Sequence, residues 1–95
     1  MNYEKYLKIR RMLLRCLDDR NNWGASHTSF KRMLKKIPVH DRGSKEVKKA
    51  ASNLIKERKI MLKKTMEEHH VSLNPRLLKE IRTEEAEEYP PEKEY

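Results

Sequence analysis

The chain has 95 residues, 36% of them apolar, and carries a formal net charge of +8. That length allows one domain with a thin core, and the lone cysteine, Cys16, excludes an intrachain disulfide and points to a reducing, cytoplasmic setting. The N-terminus lacks the apolar run of a signal peptide, and nothing approaches the roughly 18 apolar residues of a membrane span, so a soluble protein with no membrane partner is expected.

The charge is unevenly spread. Residues 83–95 hold six acids and one lysine, whereas residues 1–82 hold 22 basic and 9 acidic residues. A field of that sign attracts polyanions, nucleic acid first. The division also suggests a domain over 1–82 followed by an acidic tail over 83–95, partly helical and then disordered.

The spacing of Tyr6, Ile9, Leu13, Cys16 and Leu17 predicts a first helix over residues 3–20. Arg10, Arg11 and Arg15 read as its solvated face, and Cys16 as a buried, inert thiol. Trp23 reads as a core plug, and residues 25–26 as a short strand. Ser26 or Thr28 can cap a second helix, in which Phe30, Met33, Leu34 and Ile37 form the apolar face and Lys31, Arg32, Lys35 and Lys36 the cationic one. Pro38 stops it, and residues 39–43 make the turn.

Ser44 is suited to cap a third helix, expected over 45–59. At 100° per residue, Val47, Ala50, Ala51, Leu54 and Ile55 share one sector, with Lys45, Lys49, Ser52 and Lys56 opposite and Asn53 beside them. A helix that is polar for solubility alone mixes both signs, so a nearly all-cationic face suits a DNA major groove. Lysines would meet phosphates or guanine edges there, and Asn53 an adenine edge. Residues 59–66 and 69–73 alternate as two strands of a hairpin, with Lys63 and Lys64 near a tip that also holds Glu67 and Glu68. Asn74-Pro75 is a strong helix start, and Leu77, Leu78 and Ile81 supply the apolar face of a last helix reaching toward Glu88. The expected DNA contacts are therefore Arg42, Ser44, Lys45, Lys48, Lys49, Ser52, Asn53, Lys56, Lys63 and Lys64.

The order helix, short strand, helix, helix, hairpin, helix resembles the winged helix-turn-helix domain. That fold is α+β and mostly α, with a three-helix core, a β-hairpin wing and a C-terminal helix. The string Val71-Ser72-Leu73-Asn74-Pro75-Arg76 is similar to the segment that closes the wing and opens the last helix in small archaeal winged-helix proteins. The resemblance covers roughly residues 5–82 and implies duplex-DNA binding, often as a dimeric transcription regulator. A homodimer would use the first and last helices. An RNA-binding surface and a protein-interaction module of transcription or replication machinery remain open to the same residues.

Chemical motifs are lacking. The two glycines cannot build a phosphate-cradling loop, and no HExxH, CxxC or GxSxG string occurs. His69 and His70 are adjacent and, on a strand, point to opposite faces, so they do not share a metal. No cofactor, metal or enzymatic activity is expected.

Overall fold

The structure, a computed structural model, describes residues 1–87. Helices α1 (Tyr3–Asp19), α2 (Phe30–Leu34), α3 (Lys45–Lys56) and α4 (Leu78–Ala86) accompany strands β1 (Thr28–Ser29), β2 (Ile60–Lys64) and β3 (His69–Leu73). The result is an α+β fold, mostly helical, with one antiparallel sheet in the order β1-β3-β2. No helix among the described residues is long and apolar enough to cross a membrane.

Each long helix begins on a side-chain cap. Asn2 accepts the Lys5 N–H at 3.0 Å, and Ser44 accepts the Val47 N–H at 3.3 Å. Both helices also end alike. Asn21 and Arg58 adopt left-handed backbone, with φ of 58° and 65°. The next N–H reaches back five residues, Asn22 to the Leu17 carbonyl at 2.8 Å and Lys59 to the Leu54 carbonyl at 3.0 Å. This paired-bond ending satisfies carbonyls that a helix C-terminus otherwise leaves free. It stops α3 at Lys56, three residues before the expected end at residue 59.

Other boundaries also differ from expectation. The short first strand lies at Thr28–Ser29, where Thr28 pairs with Val71 and Ser29 with His70. Residues 22–24 run beside Leu73 instead, since Leu73 N–H bonds the Asn22 carbonyl and Gly24 N–H bonds the Leu73 carbonyl. Gly24 has φ of 60°, and a Cβ there would stand 3.3 Å from the Pro75 ring, so a glycine suits this crossing on two counts. The cap of α2 is Ser29, not Ser26 or Thr28, and the helix has five residues. Asn74 caps the following turn at Pro75–Leu77 and also ties the Lys59 and Arg58 carbonyls, so one residue joins the end of the hairpin to its beginning.

The core gathers Leu13, Leu14 and Leu17 of α1, Val47, Ala50 and Leu54 of α3, Met33 and Ile37 around α2, Ile60, Val71 and Leu73 of the sheet, and Ile81 of α4. Ala50 and Ala51 let α3 come close to its neighbours. Trp23 packs on the edge of this core and donates its indole N–H to Asp18 at 3.1 Å.

Arg10 is the main departure from the expected solvated arginine face. It is only 6% exposed. Its Nε donates to Glu84 Oε2 at 2.6 Å and Nη2 to Glu84 Oε1 at 2.9 Å. Nη1 and Nη2 donate to the two oxygens of Glu57 at 2.8 and 2.7 Å, and Nη1 also to Tyr6 Oη at 3.2 Å. Every guanidinium N–H thus has an acceptor. Lys59 Nζ adds a bond to Glu84 at 2.7 Å. Burial works against the charges of Arg10 and Glu84, but the bonds prevail, raising Arg10 and lowering Glu84; the Arg10 bond lowers Glu57 as well. The expected boundary at residue 82 therefore cuts through α4, whose Glu84 is part of the packed domain. Expectations for residues 88–95 lie outside the described residues.

Replacing Arg10 with Ala would leave two carboxylates facing a partly buried gap, and a loss of about 3–5 kcal/mol in urea unfolding is expected. Glu85 behaves oppositely. Burial, and then the Asp18 carboxyl beside it, push its pKa up from 4.5 to about 7. An acid whose folded value lies above its unfolded value loses stability as pH rises through that interval and keeps the penalty above it. Glu85→Gln should gain on the order of 1 kcal/mol at about pH 8 and nothing at about pH 4, read by thermal melts at both.

Candidate nucleic-acid interface

The third helix sorts its charges by face. Lys45, Lys48, Lys49, Ser52 and Lys56 are all exposed. The two acids at its ends turn the other way, toward α1. Glu46 is buried, accepts the Asn2 N–H at 2.7 Å and lies 3.9 Å from Lys5 Nζ. The Asn2 bond holds its carboxyl below the usual range. Glu57 is held by Arg10. Lys5 also pairs with Asp41 at 2.7 Å, which removes a further acid from the solvent side. Among the described residues, none of the four lysines on the outer face of α3 enters an ion pair. Their charges are available to an outside anion.

Three expected contact residues are committed elsewhere. Asn53 is half-buried and donates from Nδ2 to Tyr6 Oη at 2.8 Å, so it braces α3 against α1 rather than projecting with the lysines. The reason is angular: at 100° per residue Asn53 falls on the same flank as Glu46 and Glu57, which is the flank α1 covers. Arg42 donates from Nε to the Ile37 carbonyl at 2.9 Å and from Nη2 to the Lys35 carbonyl at 3.1 Å, tying down the carbonyls that follow α2. Ser44 is the N-cap of α3. Lys63 and Lys64 are exposed near the end of β2, while the turn beyond them is closed by Thr65 and Glu68. The cations of α2 and the two residues after it, Lys31, Arg32, Lys35 and Lys36, are exposed as well.

Two features were missed in the sequence reading. One is an apolar groove of about 560 Å³ between α2, α3 and β2, floored by Phe30, Leu34, Ala51, Ile55 and Leu62 and rimmed by Lys48, Lys56 and His69. Its sequence signal is Ile55 at the margin of the apolar sector and an apolar Leu62 within the hairpin. The other is the approach of His27 to His70, which has no local signal because 43 positions separate the two.

No protein-family model, curated protein or solved structure matches the chain. The candidate interface is therefore defined by its own geometry: a cationic helix face, an adjoining apolar groove and a hairpin with two lysines. Among the described residues no group of three or more His, Cys, Asp or Glu side chains is placed to hold a metal ion. Cys16 is buried, and burial raises its thiol pKa, which keeps it protonated and poorly nucleophilic.

Because Asn53 bonds Tyr6, Asn53→Ala should cost about 1 kcal/mol in stability. Chemical denaturation reads that loss.

Proposed function

We propose that this protein is a DNA-binding protein of winged helix-turn-helix type that lays α3 in the major groove of a duplex and acts in transcription. The observation that carries this reading is the outer face of α3. Four lysines, unpaired among the described residues, and Ser52 line it, while both acids of the same stretch are neutralised on the α1 side. Phosphates would meet Lys45, Lys49 and Lys56, with Lys63 and Lys64 of the hairpin and the α2 cations alongside. With Asn53 turned inward, base reading falls to Ser52 and to lysines facing guanine edges. That favours broad recognition through the backbone over a sharply defined site.

A homodimer in this reading would use the outer surfaces of α1 and α4, since their inner faces meet within one chain through Arg10, Glu84 and the Arg15 bond to the Glu85 carbonyl. The second reading, a protein-interaction module, is favoured by the apolar groove, because exposed apolar floors take part in protein contacts. RNA binding has less support. Among the described residues, the lysines of the outer α3 face are not interleaved with aromatic side chains that could stack on unpaired bases.

Duplex binding should weaken steeply with salt, and about six phosphate contacts would give a log–log slope near −5. The double variant Lys49→Ala/Lys56→Ala should bind more weakly and lower that slope by about 2. Fluorescence anisotropy against salt reads both. Wild-type affinity in the double variant would refute the interface, and complexes with a protein partner that persist at high salt without duplex affinity would favour the second reading.

A further inference from the structure

The structure brings two histidines together that lie far apart in the chain. His27 precedes β1 by one residue, and His70 lies in β3 opposite Ser29. Side chains two apart on a strand share a face, so His27 and Ser29, and with Ser29 its partner His70, fall on one side of the sheet. The two Nδ1 atoms are 2.7 Å apart, with ring centroids at 4.7 Å and planes crossing at 73°. On its other nitrogen, His70 Nε2 lies 3.1 Å from Glu68 Oε1. A carboxylate only accepts, so Nε2 of His70 carries a proton. In a neutral ring the lone pair of Nδ1 then points at His27.

We propose that His27 and His70 form a binding site for a divalent transition-metal ion of the zinc and nickel class, held through both Nδ1 atoms. The arrangement offers what imidazole ligation needs: two ring nitrogens facing each other at 2.7 Å, and a carboxylate on the far nitrogen of one ring that fixes its tautomer and orientation. Metal–nitrogen bonds of about 2.0–2.1 Å at a tetrahedral angle set two nitrogens about 3.3 Å apart, so the rings must part by about half an ångström and each turn by about 35° to aim both lone pairs at the ion. His27 lies outside the paired strand residues, so its backbone is not fixed by the ladder. Without metal, His27 donates its Nδ1 proton to His70. On binding, that proton moves to His27 Nε2, each ring presents a lone pair, and no net proton is released. Water completes the coordination. Calcium and magnesium, which take oxygen ligands, are excluded. The ion would staple the segment entering α2 to the central strand, and the site stands whether or not the chain binds DNA.

The test uses the untagged full-length chain, stripped with a chelator and titrated calorimetrically with zinc chloride and with nickel chloride. One ion per chain is expected. His27→Ala and His70→Ala should each weaken binding at least tenfold, and Glu68→Gln by about tenfold. His40→Ala and His69→Ala should bind as the wild type does. Nitrogen-15 spectra of the wild-type histidines provide a readout that needs no variant: zinc should shift Nδ1 of His27 and His70, and leave both as ring nitrogens without a proton. Failure to bind at submillimolar zinc would overturn the proposal. So would equal loss in His69→Ala, or zinc-induced shifts confined to Nε2.

Discussion

The structure depends on one buried cation. Arg10 stands where α1, the end of α3 and α4 meet, and its five N–H groups are shared between Glu57, Glu84 and Tyr6. Lys59 joins from the approach to β2 and brings the cluster to two cations and two carboxylates. Such a cluster adds little net stability over an apolar replacement, because removing four charges from water costs about as much as their pairing returns. Its value lies in geometry. Planar forks bond carboxylates at fixed angles, so the cluster sets how α4 lies on α1 and ties the end of α3 to both.

The same cluster shapes the outer surface. Pairing Glu57 with Arg10 and Glu46 with Asn2 and Lys5 collects the negative charge of α3 on its inner flank. The outer flank keeps its lysines without local compensation among the described residues. Fold and candidate site therefore share one cause, and the cationic face is partly a product of the core beneath it. Weakening the cluster would free a carboxylate at the end of that face and dilute its field.

Much of this was legible in the residues. Ser44, the small apolar sector of α3 and Asn74-Pro75 mark boundaries that the fold keeps, and the hairpin strands pair as their alternation suggests. The burial of Arg10 is legible too: at 100° per residue it falls between Leu17 and Leu14, inside the apolar sector of α1 and off the solvated face of Arg11 and Arg15. The end of α3 was harder to see. Left-handed backbone is common at asparagine, as at Asn21, but arginine gives no such signal, so Arg58 hides the stop. The position of β1 and the meeting of His27 with His70 are set by pairing with β3, a contact across more than forty residues that no local pattern encodes. Glu84 and Glu85 resemble the rest of an acidic tail by composition, and only their partners on α1 distinguish them.

The order β1-β3-β2 leaves β2 at the rim of the sheet. Its outer row of backbone N–H and C=O groups has no strand beside it among the described residues. Such a rim is a template for any extended chain, including another copy of this one. Lys63 and Lys64 stand on that strand, where two like charges would lie against the same two charges of an arriving copy. Whatever they contact, these lysines guard the rim against edge-to-edge growth, so a change that neutralises them for the sake of another property invites aggregation.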